Sequence, residues 1–533
     1  MEYKKLYSKA NKALLLGQYK KAISILEKLE ANDPRDASVF ITLGEALMRD
    51  EQFAEALVPC AKAVEIDNRN IRALNNFSAA LIRNKRLEDA LEILLYAVDL
   101  EPKNIDLYIN LSSVYQGLLQ PEKALQTALK VIELDPLSYV GYNNLGCAFG
   151  DLLQIEEARQ SYITASTLND VYLPTIINFA QLEVKCGNHV RAIELYESAL
   201  KLKNISTGES ELIKYYLSHS YLYCGQLEKG WNYYDYGFAN LLPTGAFRSK
   251  RKFTQPKWNG DIKCNGVILI WREQGIGDEM LFGTCLADLH ETNLKIILEC
   301  DPRLVNIYQR TFPKFRVRPE SINPDFFSKF NDYEYQLPIG GLPKYFRKNI
   351  VDFKENRALF SPKEELSDLI QKKLAQYRQK RLIGICWRSG KLSIERNTNY
   401  TSLLDWKDLL TNSDYQFVNL LHGDCESEIL EAEELFGVKI LRWSDIDLMN
   451  DLESVLALVT QLDYVVSVGT AVSVLSAAAG VTTLVLLQRS WVLLGQEEHY
   501  PWFSNVKPFV VEPNQHVGSN ISKVGAYLQH VLK

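Results

Sequence analysis

Few residues in this chain combine type and spacing suited to chemistry, and most stand in glycine loops behind apolar runs. Gly275-Ile276-Gly277-Asp278 follows the run Val267–Trp271, Arg388-Ser389-Gly390-Lys391 follows Leu382–Trp387, and Gly469-Thr470-Ala471 follows Tyr464–Val468. Glycine lets a strand turn sharply into a helix, so each loop has a plain structural explanation. The same geometry aims backbone amides at an anion, and the small-residue helix after Gly469 has an N-terminus suited to one. The first loop lacks the third glycine of the dinucleotide fingerprint, and no GxxxxGK[ST] leads into Lys391. Neither a nicotinamide enzyme nor a nucleoside triphosphatase is therefore expected. His422 ends the run Phe417–Leu421. An imidazole there would touch a base or sugar in a cleft, although a lone histidine more often serves as a hydrogen-bonded structural residue. The nine cysteines form no CxxC pair, and no cluster of His, Cys and carboxylates has ligand spacing. No metal is expected, and an odd number of scattered cysteines suits a reducing compartment.

A further set of polar residues is periodic. Asn76, Asn110, Asn144 and Asn178 recur at 34-residue steps, the step that also separates Ala22, Ala56, Ala90, Ala124, Ala158 and Ala192. Twelve residues before each alanine stands a small residue, from Ala10 and Gly44 to Gly146 and Ala180, which lets two antiparallel helices approach closely. Twelve residues after each stands a helix-stopping or turn residue: Pro34, Asn68, Pro102, Pro136, Asp170 or Asn204. A seventh unit, Leu212–Phe238, runs four residues out of phase, with Gly225 and Gly230 near the expected places. Period and pattern resemble the tetratricopeptide repeat. That resemblance implies a solenoid of helix pairs whose groove takes peptide segments, with the four asparagines on its inner surface. Stacked amides there would donate to and accept from the backbone of an extended peptide. The same arrangement belongs to the O-GlcNAc transferase family, which this half resembles. Equally, asparagine is a frequent consensus residue at that position without any ligand.

The rest of the sequence sets the frame. Its 533 residues allow three or four domains. With 60 basic and 66 acidic side chains, net charge −6 and pI ≈ 5.8, nucleic acid is not expected as a partner. Met1–Gln18 reads as a first helix rather than a signal peptide. The 25 uncharged residues between Asp463 and Arg489 are long enough to span a membrane. Their Ser, Thr and Gly residues divide them instead into strand, small-residue helix (Val472–Ala479) and strand (Thr483–Leu487), so no transmembrane segment is expected. The protein is read as cytoplasmic. The repeats stop near Asn240. Leu241–Cys264, with Arg248, Lys250, Arg251, Lys252 and Lys257, reads as a solvated linker. Then Val267–Trp271, a helix over Glu279–His290 and a strand over Leu294–Glu299 open one Rossmann-like unit. Leu382–Trp387 opens a second, continued by Phe417–Leu421, Val438–Leu441, Tyr464–Val468 and Thr483–Leu487, with a cleft between the two.

Particular motifs go further. Gln255-Pro256-Lys257-Trp258-Asn259-Gly260 and Trp271-Arg272-Glu273-Gln274-Gly275-Ile276-Gly277-Asp278-Glu279 resemble the junction in bacterial tetratricopeptide proteins with a heptosyltransferase-like (GT-B) glycosyltransferase region. The stretch from Asp332 to Pro343, then Ile385-Cys386-Trp387-Arg388-Ser389-Gly390 and Ser467-Val468-Gly469-Thr470-Ala471, resemble later segments of that group in the same order. Some members of the wider group are implicated in modifying flagellin or other surface proteins. The resemblance implies an α-solenoid of tetratricopeptide repeats over 1–240, a linker over 241–264, and an α/β GT-B-like region. That region comprises an acceptor-side Rossmann-like domain over 265–365 and a donor-side one over 366–533 with a C-terminal helix.

The implied activity is inverting, metal-independent transfer of a sugar from a nucleotide sugar, with no cofactor, to Ser or Thr of a protein held by the repeats. Asp278 would be the general base, kept ionised by its helix N-terminus. A plain helix cap competes with that role, and Glu273 and Glu279 are local rivals. Donor contacts would come from Gly275, Gly277, Arg388, Ser389, Gly390, Lys391, His422, Gly469, Thr470 and Ala471, with Arg396 a further cation. Family enzymes often carry Asp-Thr-Gly and then His where this chain has Gly469-Thr470-Ala471 and Val474. Those departures keep open a non-catalytic tetratricopeptide scaffold with a degenerate GT-B region. A glycan-directed heptosyltransferase-like enzyme is the third reading, and the long repeat half argues against it.

Overall fold

The structure, a computed structural model, describes residues 2–32, 35–238, 251–320, 332–354, 358–390, 399–513 and 515–531. Lys391 and Arg396, with Pro34, Arg248 and Lys250, lie outside the described residues. The chain forms two compact units. One is chiefly Met1–Leu182, and the other takes in Glu183–Glu197, Ser206–Leu241 and Gly245–Lys533.

The first unit is a run of helix pairs, beginning with Glu2–Leu15 and Tyr19–Asn32. Its periodic alanines, Ala22 to Ala158, are fully buried. The small residues opposite are needed for contact: a Cβ on Gly44 would collide with Cys60 Sγ, and one on Gly146 would lie 2.6 Å from the Tyr162 ring. The first helix of each pair ends in the same hydrogen-bonded turn. In one, Gln120 N–H donates to Tyr115 O at 2.9 Å and Leu119 N–H to Gln116 O at 3.0 Å. This turn needs a left-handed residue. Gly17, Glu51, Lys85, Leu119 and Leu153 fill it, with φ of 70°, 61°, 60°, 56° and 60°. A side chain in that region costs energy that glycine avoids. Leu119 and Leu153 are 83% and 81% exposed and have little packing to lose. Leu119→Gly and Leu153→Gly are therefore expected to stabilise this unit by ~0.5–1 kcal/mol each, read as a higher thermal midpoint.

The second unit contains two sheets, and every pairing among the described strands is parallel. The first sheet has β1 (Val267–Trp271), β2 (Lys295–Cys300), β3 (Arg316–Pro319) and β4 (Tyr335–Pro338), in the order β3-β2-β1-β4. The second has β5 (Arg381–Cys386), β6 (Tyr415–Asn419), β7 (Ile440–Leu441), β8 (Tyr464–Val468), β9 (Thr483–Gln488) and β10 (Val506–Val511), in the order β10-β9-β8-β5-β6-β7. The central strands are buried along nearly their whole length, as parallel strands covered on both faces must be. In each sheet the chain starts in the middle, builds one side and then crosses to the other. That places topological switch points between β1 and β4 and between β5 and β8.

The uncharged stretch after Asp463 forms β8, the helix Ala471–Ala478 and β9, as expected. No helix among the described residues is long and apolar enough to cross a membrane.

Three expectations need correction. The helix over Glu279–His290 is two helices, Ile276–Gly283 and Leu286–His290. At the break Thr284 Oγ1 donates to Leu281 O at 2.8 Å, a side-chain bond that competes with helix continuation. The described part of 241–264 is no solvated linker. Trp258 is buried, and its N–H donates to Gln336 O at 2.9 Å, so the segment lies along the β4 edge. Arg251 pairs with buried Glu299 at 2.6 Å, and Lys257 with Asp235 at 2.5 Å. Finally, the packing boundary falls before residue 240, because the seventh helix pair, Thr207–Tyr223 and Leu227–Tyr234, belongs to the second unit. Trp231 and Tyr234 pack there against Phe282 and Trp491. The turn glycine of the pair, Gly225, is left-handed at φ 73° and abuts Gly495, whose Cβ would lie 2.8 Å from Gly225 Cα.

Candidate functional site

The glycine loops fall at the carboxyl ends of the strands, where parallel sheets bind ligands. After β1 come Arg272, Glu273 and Gln274, then Gly275 at the start of the helix Ile276–Gly283. Glu273 reaches across the first switch point, and its Oε1 accepts the Gly340 N–H at 3.0 Å. A Cβ on Gly340 would collide with that oxygen, so any larger residue there would push the Glu273 carboxylate away. Gln274 Nε2 donates to the Tyr234 hydroxyl at 2.8 Å, which ties the loop to the seventh helix pair. Asp278 is half-buried in the first helical turn, and its Oδ2 curls back to 3.3 Å from where a Gly275 Cβ would stand. Burial, and then the Asp278 carboxylate, hold the Tyr500 phenol above its usual range. Tyr500 follows β9, so the two sheets each contribute one member of this pair.

Gly277 faces the other sheet directly: its Cβ would lie 3.5 Å from Ala471 Cα. Thr470 caps the helix Ala471–Ala478 through a reciprocal bond with Ser473. Its Oγ1 lies 3.1 Å from Ser467 Oγ and 3.7 Å from Cys386 Sγ, which joins the β8 end to the β5 end. Gly469 is exposed, and a Cβ there would meet nothing within 4 Å, so packing does not exclude an aspartate. Val474 is half-buried against the core.

The β5 loop meets the β6 loop at Gly390, where a Cβ would collide with the His422 ring. Ser389 lies beside it, with its carbonyl accepting Arg388 Nη1 at 3.2 Å. Arg388 itself is largely committed within the protein. Its Nε donates to Glu428 Oε1 at 3.0 Å, its Nη2 also bonds Glu428, and Nη2 reaches Asp424 O at 2.8 Å. Trp387 Nε1 adds a bond to Glu428 at 2.6 Å. Burial would raise the Glu428 carboxyl, but the bonds from Arg388 and Trp387 hold it below the usual range. A phosphate at Arg388 would have to share or displace Glu428.

Glu279 is not placed like its neighbour. It is buried, lies 3.1 Å from Arg272 Nε, and accepts the Asp301 N–H at 3.2 Å. Arg272 also reaches Asp301 at 3.2 Å and Glu320 at 3.3 Å. Burial drives the Glu279 carboxyl up to about 8, against Arg272 and the Asp301 amide, which favour the charged form. An unfolded glutamate titrates near ~4.3. Between those values the native state keeps a proton that the unfolded chain has lost. Stability from this group is therefore full below the unfolded value, and is lost as pH rises toward and through about 8. Glu279→Gln preserves the neutral shape and is expected to remove that decline. Thermal melts of both proteins at about pH 5 and about pH 8 check this.

Beside this cluster lies a cavity of about 160 Å³, lined by Arg251, Trp271, Arg272, Glu273, Gln274 and Glu320. A larger open groove, about 930 Å³, lies at the amino ends of β5, β6 and β8, among Arg378, Lys380, Arg381 and Asp414. It is on the wrong end of the strands for the loops.

The four periodic asparagines lie in the first unit and bond the preceding repeat. Asn76 Nδ2 donates to Ile41 O and Asn144 Nδ2 to Ile109 O, both at 3.3 Å. Asn110 Nδ2 donates to Asn75 Oδ1 at 2.7 Å, and Asn178 Nδ2 to Asn143 Oδ1 at 3.1 Å. The alternation has a simple cause: where the residue 35 positions back is isoleucine, only its carbonyl can accept. Each amide thus ties repeats together through its Nδ2, which in Asn178 also reaches Cys147 Sγ at 3.4 Å, and a peptide could use only what remains.

Glu428, Tyr500, Tyr234 and the cavity residues Arg251 and Glu320 were not singled out as site residues by spacing. Nothing local links Arg388 to Glu428, 40 residues away; only β5–β6 adjacency does.

Comparison with known proteins identifies the repeats. The tetratricopeptide repeat family matches residues 105–136. Protein FlbA of Caulobacter vibrioides is 29% identical over 303 residues, covering 54% of this chain and 50% of that protein. The chain thus spans about half the length of this curated relative. The crystal structure of MamA protein is 22% identical and covers 32% of this chain and 93% of its own, with a TM-score of 0.29. A thermophilic tetratricopeptide protein of Thermus thermophilus is 19% identical and covers 33% and 96%, with a TM-score of 0.32. The chain therefore carries a helical tetratricopeptide solenoid followed by a region of parallel sheets.

Proposed function

We propose that this chain is a glycosyltransferase of GT-B type that modifies a protein acceptor. The repeats hold a polypeptide segment, flagellin being one candidate, and the two parallel sheets act as the paired Rossmann-like domains. A nucleotide sugar binds at the second sheet, near Arg388, Ser389, Gly390, His422 and the Gly469-Thr470-Ala471 turn. Gly275 and Gly277 bring Asp278 to it, and the reaction needs no metal or cofactor. It takes place in the cytoplasm, where nucleotide sugars are available. The observation that carries this reading is the meeting of two switch-point loops, with Gly277 against Ala471 and Asp278 within electrostatic reach of Tyr500. Incubation of the full chain with candidate acceptors and a panel of nucleotide sugars, followed by intact-mass measurement, tests it. The acceptor is expected to gain one sugar residue. An unchanged mass with every donor would sink the proposal for that acceptor set.

A second reading, a tetratricopeptide scaffold with an inactive α/β half, is favoured by the commitment of Arg388 to Glu428. Titration with nucleoside mono- and diphosphates separates the two, since a scaffold binds none.

A further inference from the structure

The cavity at the end of β1 is not part of the donor set proposed above. It belongs to the first sheet and is lined by Arg251, Trp271, Arg272, Glu273, Gln274 and Glu320. Its charges are matched in place. Arg251 pairs with Glu299 at 2.6 Å, and Arg272 with Asp301 and Glu320 at 3.2 and 3.3 Å. A strongly charged ligand would have to break such pairs. A neutral ligand rich in hydroxyls would not, because each hydroxyl both donates and accepts. The lining offers both partners side by side: guanidinium and amide donors next to carboxylate and amide acceptors. These side chains are held in place from behind. Glu273 is fixed by the Gly340 N–H at 3.0 Å, Gln274 by the Tyr234 hydroxyl at 2.8 Å, and Arg272 by the Gln274 carbonyl at 2.9 Å. The volume, about 160 Å³, is on the scale of one six-membered sugar ring.

We propose that this cavity is a binding site for a single neutral monosaccharide ring. It deepens the transfer reading by giving a sugar a place beside the Asp278 loop, and it is testable apart from that reading. The ring could belong to the donor or to a sugar already on the acceptor; the chemistry is the same.

The test is saturation-transfer NMR on the full chain with free neutral hexoses and N-acetylhexosamines, with their nucleotide-linked forms, and with the nucleoside diphosphates alone. Wild-type protein is expected to show contacts to ring protons. Glu320→Gln and Glu273→Gln, checked for an unchanged melting profile, are expected to weaken sugar binding at least tenfold while leaving nucleoside diphosphate binding unaltered. Competition by the free sugar against the nucleotide sugar assigns the cavity to the donor. Free-sugar binding without competition assigns it to the acceptor. Absence of binding by any sugar, free or linked, overturns the inference, as does sugar binding that both variants retain in full. Sugar transfer by those variants at wild-type rate would overturn the cavity and leave the transferase reading standing. Sugar binding without any transfer would do the reverse.

Discussion

Trp231→Ala is expected to destabilise the second unit by about 4–5 kcal/mol, the upper part of the range for removing a buried tryptophan. The residue is 2% exposed and sits where three parts of that unit meet. Its ring makes edge contacts with Tyr234 in the seventh helix pair, Phe282 beyond the first glycine loop, and Trp491 and Trp502 after β9. Its Nε1 donates to Arg347 O at 2.8 Å. Truncation leaves a cavity among rigid rings that cannot easily close, and strands that carbonyl as an unsatisfied buried acceptor, a further cost of ~1–3 kcal/mol. Trp231→Phe keeps most of the packing and loses the bond, so about 1–2 kcal/mol is expected. Urea unfolding followed by near-ultraviolet circular dichroism reads both changes. The Ala variant should also loosen the Tyr234–Gln274 bond, and so disturb the Asp278 loop, before it unfolds the unit. A cost below about 1 kcal/mol would show that the seventh pair merely rests on the sheets.

How much of this was legible depends on whether the cause is local. The 34-residue step laid out the first unit because every repeat solves the same packing problem with the same small residues. It also contained the left-handed turns, but only Gly17 and Gly187 advertise them, since Glu51, Lys85, Leu119 and Leu153 take that conformation without being glycine. Strands in the sheet centres were readable as apolar runs, and β1 and β8 have the expected bounds. Of the edge strands only β7 was, inside the expected run Val438–Leu441. Arg316–Pro319 is half charged, and Val506–Val511 contains Pro508, which an edge position tolerates. The glycine loops were visible because a strand must turn into a helix there. What surrounds them was not, because it comes from elsewhere in the chain. Arg388 looked like a cation in a loop until Glu428 was brought beside it, and Arg251 like linker charge until Glu299 was. The asparagine series is an intermediate case: its spacing was plain, while its bonds to the repeat behind depend on how the helices stack.

Asp278→Asn is expected to lower the transfer rate by ~10²–10⁴-fold, the usual worth of a positioned general base, with nucleotide sugar binding unchanged. In the proposed reaction the acceptor oxygen attacks the anomeric carbon, its proton passes to an Asp278 carboxylate oxygen, and the bond to the leaving phosphate breaks. Asparagine keeps the shape of the side chain and its place in the helical turn but cannot accept that proton. The two nearby acids are poor substitutes. Glu279 is buried and engaged by Arg272 and the Asp301 amide, and burial holds its carboxyl near 8, so it carries its proton at neutral pH. Glu273 is bound by the Gly340 N–H. Tyr500, its phenol raised by burial and by Asp278, remains protonated and is no base. Asp278 also sits in the first turn of a helix, where a carboxylate stabilises the helix end. Its loss there should cost no more than ~1 kcal/mol, so a melting curve separates the two roles. A large fall in rate with a small fall in stability identifies the base. Full rate with lowered stability reduces Asp278 to a stabilising charge in the first helical turn, and the rate of Glu273→Gln would then test whether the proton leaves through Glu273.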